Sequence, residues 1–471
     1  MSLSRRRFLG RSLASTALAG YALAARAQTG VMGETYRNEV YGFGPLQSDP
    51  AGVLDLPEGF SYRVLSRFGD TMSDGMVVPD KFDGMGCFGL DDERVALVRN
   101  HELNPRDLAR GPFGRDLSRL GHVAADKAYA KYADRDVPMV GGTTTMIYNL
   151  RTGQMEEEYL SLAGTMINCA GGITPWGSWL TCEETTLGRA NGLTQDHGWV
   201  FEVPAAQRGL AEPVPITGMG RFRHEAACID PRTGIVYQTE DTGAGLFYRF
   251  LPDDPRHLHR GGRLQAMVLR DVPSADTRNW EETLWQQGDS REVSWVDIDG
   301  VDNPNADIAE RGHERGAAYF ARGEGVIWAG DHLYFACTSG GRDRHGQILR
   351  YVPSPHEGQP GETDTPGVLE LFVEATDRAV LDYVDNIDIS PWGHVIGCED
   401  KEVGIQHIKG VTPEGRVYTI ARNALPLDTP EGSNTEFAGV CFSPDGQTMF
   451  VNLYAPGQTL AITGPWSQFR S

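Results

Sequence analysis

The pattern that decides the fold first appears in full as Pro175-Trp176-Gly177-Ser178-Trp179-Leu180-Thr181-Cys182-Glu183-Glu184. A turn that contains glycine leads into an apolar strand, and the strand ends in acids. Further copies of this pattern begin at Gly234, Gly330, Pro391 and Pro444, and a degenerate first copy covers residues 95–102. Alternating apolar and β-branched residues bounded by glycine and proline are typical of β-strands. A strand-turn-strand unit that recurs about every 50–60 residues has the size of one propeller blade.

Six copies of one unit predict an all-β protein, a six-bladed β-propeller with loop or helical insertions near residues 105–135 and 255–315. A β-sandwich is the structural alternative, but a sandwich does not require six copies of the same unit. The chain has 57 glycines and 27 prolines among 471 residues, which agrees with a polypeptide that turns often. This composition favours a turn-rich β-protein over a helical one.

The first 27 residues have the features of an export signal. The run Arg5-Arg6-Arg7 precedes a weakly apolar stretch, and Ala25-Arg26-Ala27 fits a cleavage site. We predict a twin-arginine signal peptide at 1–27, read by the twin-arginine translocation machinery, and a single propeller domain at 28–471. An amphipathic N-terminal helix is the alternative. The prediction makes the protein periplasmic or secreted. No later run of about 20 apolar residues offers a stable membrane anchor, and we expect a monomer.

The chain is strongly acidic, with 43 Lys and Arg against 64 Asp and Glu and a formal net charge of −21. This charge argues against a nucleic acid or an anionic membrane surface as the partner. In a propeller the ends of the inner strands meet at one funnel, so acids at equivalent strand ends come together. These acids are Glu102, Glu183, Glu184, Glu240, Asp241, Glu399 and Asp400. They either repel one another as solvated strand ends or are neutralised by cations such as Ca²⁺, which prefers oxygen ligands.

Further polar groups stand at or just before the strands that open each unit. They are Glu225, the Arg322-Gly323-Glu324 run, the Asp385-Asn386 pair and Glu436. Cys169 lies in a glycine-rich stretch, where it is either a small buried residue or a thiolate ligand for iron or another soft metal. The sequence contains no G-x-S-x-G, no P-loop and no sustained dinucleotide-binding fingerprint, which removes several common enzyme classes.

The segment from Asn168 to Glu184 closely resembles the signature of the PhoX alkaline phosphatases. Shorter elements fit the same family, and together they extend from about residue 95 to residue 460. They are Asn100-His101-Glu102, Gly141-Gly142-Thr143-Thr144-Thr145, His224-Glu225, Arg322-Gly323-Glu324-Gly325, Glu436-Phe437-Ala438-Gly439 and the stretch from Ser443 to Gly457. The family uses the twin-arginine route, in agreement with the export signal.

The resemblance implies a six-bladed propeller that hydrolyses small-molecule phosphate monoesters, with diesters as a further class, at Fe³⁺ and Ca²⁺ ions. Cys169 would ligate iron, and Glu225 and Glu324 would bridge or ligate metals. Arg322 would clamp the phosphate, with Asn168 as a second substrate contact. The remaining implied metal ligands are Glu102, Glu183, Glu184, Glu225, Asp385, Asn386 and Glu436. Arg322, Cys169 and Glu324 form the implied catalytic set. A metal-activated oxygen would be the nucleophile, so no side-chain nucleophile is needed.

Two other functions remain open at this stage. A calcium-dependent propeller hydrolase of another ester or a lactone would bind calcium without iron and would not depend on Cys169. A non-catalytic binding propeller would hydrolyse no phosphate ester. Metal analysis separates these alternatives from a phosphatase.

Overall fold

The computed structural model describes residues 35–401, 403–426 and 434–471. The predicted signal peptide at 1–27 lies outside the described residues. In chain order the strands are β1 (Leu46–Gln47), β2 (Leu54–Pro57), β3 (Ser61–Arg67), β4 (Phe82–Gly89), β5 (Arg94–His101), β6 (Gly141–Asn149), β7 (Gln154–Thr165), β8 (Asn168–Ile173), β9 (Ser178–Glu183), β10 (Val200–Pro204), β11 (His224–Ile229), β12 (Val236–Glu240), β13 (Phe247–Pro252), β14 (Gly262–Leu269), β15 (Ser290–Asp297), β16 (Gly323–Ala329), β17 (His332–Cys337), β18 (Gln347–Val352), β19 (Val368–Glu374), β20 (Val384–Ile389), β21 (Val395–Glu399), β22 (His407–Val411), β23 (Val417–Asn423), β24 (Phe437–Phe442), β25 (Thr448–Leu453) and β26 (Gln458–Thr463).

Helical structure in the described part of the chain is limited to one α-helix, α1 (Ile308–Glu314), and short 3-10 segments. The 3-10 segments are Leu108–Arg110, Leu120–His122, Ala125–Lys127, Arg189–Asn191, Thr217–Met219, Leu258–Arg260, Pro360–Thr363 and Trp466–Gln468. Among these described residues, no helix is both long enough and apolar enough to cross a membrane.

Antiparallel pairing arranges the strands in five sheets. Two sheets are the consecutive sets β4–β7 and β8–β10, and two more combine β20–β23 with β1 and β2, and β24–β26 with β3. The fifth has nine strands, because β15 pairs with both β14 and β19 and so joins β11–β14 to β16–β19. The predicted all-β, propeller-like arrangement is therefore confirmed. The prediction of six separate blades is corrected, since β15 fuses two four-stranded runs into one sheet.

Six strands form the inner wall of the molecule: β4, β8, β11, β16, β20 and β24. Each contacts the next, and β24 contacts β4, so the wall is a closed ring. The two ends of the chain close the outer part of the last sheet, where β3 pairs with β26 from Ser61 opposite Thr463 to Arg67 opposite Gln458. The ring therefore joins segments that are far apart in sequence.

All six inner strands have the same irregularity at their first residues. The inner strand advances by three residues while its partner advances by two. In β8, for example, Asn168 pairs with Glu183, and the next pair is Gly171 with Thr181. The same count applies to the other five inner strands. A β-bulge of this kind leaves one residue outside the ladder and changes the direction of its side chain. The bulge therefore gives every inner strand one side chain that the regular ladder does not use.

The inner strands approach each other closely, which explains the glycine pair next to Cys169. A Cβ atom on Gly172 of β8 would stand 1.7 Å from the backbone oxygen of Ala227 in β11, so only glycine fits there. Aromatic residues fill the space between sheets further out, as where the rings of Phe247 and Phe335 stack at 4.2 Å. Small residues at the axis and large ones outside allow the ring to close.

The two predicted insertions differ in structure. Residues 105–135 contain only short 3-10 segments and an otherwise irregular path, as expected. Residues 255–315 include β14, β15 and α1, so the predicted loop in fact supplies two strands of the nine-stranded sheet. The segment that was predicted as an insertion therefore contains regular strands.

Candidate metal centre

The middle residue of each bulge gives the first layer of the site. In chain order these residues are Asp83, Cys169, Glu225, Glu324, Asp385 and Gly439. Five of the six carry a carboxylate or a thiol. The sixth is a glycine at φ 61, where a Cβ atom would come within 2.5 Å of the backbone oxygen of Asp83. Its sheet contributes Glu436 instead, from just before β24.

The second layer comes from the residues that follow the neighbouring strands. Glu102 follows β5, Glu184 follows β9, Asp241 follows β12 and Asp400 follows β21. We call the two layers together the central cluster. Its members are Asp83, Glu102, Cys169, Glu184, Glu225, Asp241, Glu324, Asp385, Asp400 and Glu436.

Parts of the central cluster are close enough to share ions. Cys169, Glu184 and Glu225 form one group whose possible ligand atoms lie within 4.8 Å of one another. Glu225, Glu324 and Asp385 form a second such group, and Asp385, Asp400 and Glu436 form a third. Glu225 and Asp385 each belong to two groups. The three groups are therefore one continuous chain of ligands with two shared carboxylates.

The electrostatics of the cluster favour bound cations. Burial, reinforced by neighbouring carboxylates, raises the pKa of Glu225 and Glu324 well above the ordinary range. Burial and the charge of Asp400 raise the pKa of Asp385 to about 7, and burial and the charge of Asp241 raise the pKa of Glu184 to about 8. Buried like charges cannot all ionise unless positive charge is supplied.

The donor atoms fit two kinds of metal ion. The Cys169 group combines one sulfur with two carboxylates, a set that suits a transition metal such as iron. The other two groups contain only carboxylates, the ligands preferred by hard cations such as Ca²⁺. Burial raises the pKa of the Cys169 thiol, and the nearby Glu225 raises it further, so a thiolate here requires a strong positive charge beside it.

Two of the described arginines contact acids of the cluster: Arg223 donates from Nε to Oε1 of Glu184 at 3.1 Å, and Arg322 lies between two acids. The Nε of Arg322 donates to Oδ1 of Asp241 at 2.9 Å, and its Nη2 donates to Oε1 of Glu324 at 2.7 Å. Burial alone would lower the pKa of Arg322, but Glu324 and Asp241 outweigh that effect and raise it. A third of the side chain stays exposed. The guanidinium is therefore charged, held in place and open on one side.

A narrow cavity of about 40 Å³ lies on the axis next to the cluster. The third residues of the bulges line it, and most of them are small: Gly84, Ala170, Ala226, Gly325, Asn386 and Val440. Such a cavity has room for about one water molecule. The acids thus stand above a nearly closed axis.

Two predicted site residues lie elsewhere. Glu183 is fully buried beside the cluster, and its carboxylate accepts hydrogen bonds from His197 Nδ1 at 2.6 Å and from the backbone of Gly198 at 2.9 Å. Asn168 is also fully buried. Its Oδ1 accepts a hydrogen bond from Thr165 Oγ1 at 2.8 Å, and its Nδ2 donates to Thr181 Oγ1 at 3.0 Å. These bonds hold strands together. The structure thus does not bring Glu183 or Asn168 into the three groups, and their roles as metal ligand and substrate contact stay predictions.

Two further predicted ligands have specific partners. Asn386 donates to Asp385 Oδ1 at 2.9 Å, and its oxygen accepts from the backbone of Gly439 at 2.6 Å, so it orients Asp385. Glu102 is at the cluster, where it accepts a hydrogen bond from the hydroxyl of Tyr454. The other predicted ligands, Cys169, Glu184, Glu225, Glu324, Asp385 and Glu436, all lie in the three groups.

Sequence reasoning missed one first-layer residue and left out two second-layer ones. Asp83 was missed because the first repeat was recognised only from residue 95 onward. An acid followed by glycine, as in Asp83-Gly84 and Glu324-Gly325, is the signal that could have found it. Asp241 and Asp400 were recognised as strand-end acids but not included among the ligands. Tyr454 gave no signal in the sequence.

Comparison with known proteins agrees with this geometry. The family model described as alkaline phosphatase PhoX matches residues 41–457. A search of curated protein sequences gave no significant match. Among solved structures, Pseudomonas fluorescens PhoX in complex with vanadate, a transition state analogue, aligns with a TM-score of 0.62 at 18% identity, covering 91% of this chain and 98% of that one.

A second solved structure, a gluconolactonase from Xanthomonas campestris, aligns with a TM-score of 0.39 at 12% identity, covering 91% of this chain and all of that one. That alignment is too loose to carry an argument. The likeness to the Pseudomonas structure shows the fold. Because the family model covers most of the chain, the chain belongs to the alkaline phosphatase PhoX family, a family of phosphoric ester hydrolases.

Proposed function

We propose that this phosphatase is metal-dependent and hydrolyses phosphate monoesters, with diesters as a second class to test. The observation that carries the proposal is the continuous chain of three ligand groups with Arg322 beside it. In the reaction, water adds to phosphorus, the bond from phosphorus to the alcohol oxygen breaks, and the alcohol leaves with a proton. Bound metal ions would polarise the phosphoryl group and make the attacking oxygen nucleophilic.

The protein's own residues contribute position and charge. Arg322 has a planar fork that matches two oxygens of a phosphate, and Asp241 and Glu324 fix its orientation. Glu225 and Asp385 would hold neighbouring ions at a fixed spacing, because each belongs to two groups. We propose Fe³⁺ at the group that contains Cys169 and Ca²⁺ at the groups made of carboxylates alone.

We also propose how the whole chain is organised. Residues 28–471 would be one six-bladed propeller, in which β15 bridges the third and fourth blades. Residues 1–27 would direct export by the twin-arginine translocation machinery to the periplasm or medium, and the exported protein would be a monomer. Export of a folded chain agrees with a centre whose ligands come from every part of the sequence.

Metal analysis by mass spectrometry together with the visible spectrum tests the proposal. Protein expressed with iron supplied should contain iron and calcium and should release phosphate from p-nitrophenyl phosphate. Cys169→Ser should lose iron, and Arg322→Ala should lose about 100-fold in kcat/KM, as expected for removal of a fixed charge donor. Cys228→Ser and Arg232→Ala are the matched controls, because both residues lie outside the central cluster.

The outcomes separate the three functions. Full activity in both Cys169→Ser and Arg322→Ala would overturn the roles given to these residues. Calcium without iron, together with turnover of another ester or a lactone, would favour the calcium-dependent hydrolase. Protein that binds metals but releases no phosphate from any ester would favour a binding propeller.

A further inference from the structure

A cationic and aromatic segment borders Arg322 on one side of the funnel. The backbone of Arg322 is bonded to two loops: its N–H donates to Thr242 O at 2.9 Å, and its oxygen accepts from the N–H of Thr338 at 3.0 Å. These loops follow β12 and β17, and the next residues along them, Gly243 and Ser339, receive a second set of bonds.

That second set comes from the segment between β14 and β15. Arg278 Nη1 donates to Gly243 O at 2.8 Å, and Trp280 Nε1 donates to Ser339 O at 2.7 Å. Adjacent Cα atoms are about 3.8 Å apart, so Arg322 and this segment are anchored one residue apart on the same two loops. The segment is therefore a neighbour of Arg322, the residue proposed to hold the phosphate.

The pattern of acids is interrupted here, as it also is after β25, which ends in Leu453 and continues with Tyr454. Strands β9, β12 and β21 each end in one acid and are followed by a second. Strand β17, in contrast, ends in Cys337 and continues with Thr338. The rim next to β17 therefore has no strand-end acid and is bordered by Arg278 and Arg344, whereas Arg223, beside β9, is paired with the strand-end acid Glu184.

The guanidinium groups of two arginines lie over the ring of Trp280. The central carbons of Arg278 and Arg344 are each 4.4 Å from the centre of that ring, which is the geometry of a cation–π contact. Arg278 is neutralised by a bidentate pair with Asp276, at 2.7 and 2.6 Å. Arg344 is 53% exposed and has Glu281, itself 88% exposed, no nearer than 3.8 Å. Arg344 is thus the less neutralised of the two cations.

We infer that Arg344, held against Trp280, binds a second anionic group on the leaving group of the substrate. The substrate class is then phosphate esters of alcohols that carry a carboxylate or another phosphate. This inference rests on the proposed phosphatase function and adds the selection of the leaving group. An acidic leaving group would otherwise be repelled by the carboxylate side of the funnel, and the contact with Trp280 restricts the Arg344 side chain before binding.

A pair of matched substrates tests the inference. Sorbitol 6-phosphate and 6-phosphogluconate have the same open six-carbon chain and the same phosphate, but only the second carries a carboxylate at the far end. We expect the metal-loaded wild type to have a kcat/KM at least about threefold higher for 6-phosphogluconate, in line with one exposed ion pair. The preference should shrink as salt is raised, because exposed charges are screened over about 8–10 Å.

Variants of Arg344 locate the effect. Arg344→Gln should remove the preference by lowering kcat/KM for 6-phosphogluconate, Arg344→Lys should keep part of it, and Arg344→Glu should reverse it. The matched control is Arg232→Gln, which removes an arginine 4.9 Å from the ring of Trp328, in the turn between β11 and β12. This control should keep the wild-type preference.

The inference and the function on which it rests fail in different ways. If the metal-loaded wild type releases phosphate from neither substrate nor from p-nitrophenyl phosphate, the proposed function fails. If it hydrolyses both substrates equally, or if Arg344→Gln lowers both rates by the same factor, the function stands and the leaving-group site is overturned. A preference that survives in Arg344→Glu also overturns it.

Discussion

Buried carboxylates lie at strand ends in two regions of this molecule, and the two regions are neutralised in opposite ways. At the end of β21, Glu399 has Lys401 Nζ at 2.7 Å, His407 Nδ1 at 2.9 Å and Lys409 Nζ at 4.0 Å, and all four side chains are almost fully buried. We call these four residues the Glu399 pocket. One residue further along the chain, Asp400 belongs to the central cluster, where acids face acids.

The difference appears in the pKa values. Although burial alone would raise the pKa of Glu399, Lys409 and Lys401 lower it to about 2. The nearby Asp385, in contrast, has its pKa raised to about 7 by burial and by Asp400. The Glu399 pocket contains its own cations, so it is complete as folded protein. The central cluster has nine carboxylates, and Arg322 and Arg223 pair with only three of them, so we propose that ions from solution neutralise the others.

The largest expected effect is the loss of a ligand shared by two ligand groups. Asp385→Asn should lower kcat by about 1000-fold, because the charge stabilisation supplied by a metal ion is worth several kcal/mol. Phosphate release and metal content measured on the same sample check this. Asp388 lies three residues further along β20 and outside the three groups, so Asp388→Asn should keep both the phosphate release and the metal content. Equal losses in the two variants would contradict the role of Asp385.

The Glu399 pocket should respond in stability rather than in metal binding. Glu399→Gln leaves Lys401 and Lys409 buried without their counter-charge, and we expect a loss of about 3 kcal/mol in the free energy of unfolding. Denaturant unfolding of the metal-loaded protein measures it. Adding Lys409→Met should recover part of the loss. A variant that unfolds normally but has lost its metals would show that the two regions are not separate.

The pH dependence of stability should have opposite signs in the two regions. In metal-free protein, the raised pKa of Asp385, about 7, and of Glu184, about 8, gives stability that is complete below the unfolded values. This stability is lost as pH rises through 7 and 8. Glu399 acts in reverse: its stability is present above pH 4.5 and is lost as pH falls towards 2.

Melting temperatures of metal-free protein between pH 5 and pH 8.5 test this expectation. We expect a fall that corresponds to about 2 kcal/mol after allowance for solvent screening. Adding Ca²⁺ at pH 8.5 should reverse the fall, because the cation replaces the protons. Metal-free protein that is most stable at pH 8.5 would show that the carboxylates are not crowded as described.

The smallest effect is expected from single tyrosines that donate to buried acids. Tyr454 donates to Glu102 in the central cluster, and Tyr248 donates to Glu240 at 2.8 Å outside it. Tyr454→Phe should weaken calcium binding about fivefold, as expected for loss of one hydrogen bond to a charged group. Tyr248→Phe should lower stability by a similar free energy without changing calcium binding. Calcium titration of both variants checks the contrast.

The sequence predicted the strand ends but not the direction of every side chain. Glu183 and Glu184 are adjacent acids at the end of one strand, and successive residues of a strand point to opposite faces. Which of the two faces the funnel depends on the register in which β9 pairs with β8, and the residue types do not mark that register. The structure brings Glu184 into one of the three groups, and the role of Glu183 as a ligand stays a prediction.

The number of sheets was also not predictable from the sequence. The segment from 255 to 315 is rich in charged residues and suggested loops, yet β15 lies inside it and pairs with strands on both sides. Its exposed polar residues are compatible with an outer strand, where the ladder is satisfied by neighbours that sequence periodicity does not identify. The strands recognised from the sequence, such as β9, β12 and β21, are partners of the inner strands. The inner strands themselves were not recognised, because glycines and polar residues interrupt their apolar pattern, as in Asn168–Ile173.

The pairing of β3 with β26 has a consequence for biosynthesis. Residues 61–67 leave the ribosome early but must wait for residues 458–463 before their sheet is complete. The ligands of the central cluster extend from Asp83 to Glu436, so no partial chain contains the whole centre. Contacts between such distant segments form late in folding. If the proposed ions bind, we therefore expect loading to follow ring closure, because a chain that ends before Glu436 contains only part of the cluster.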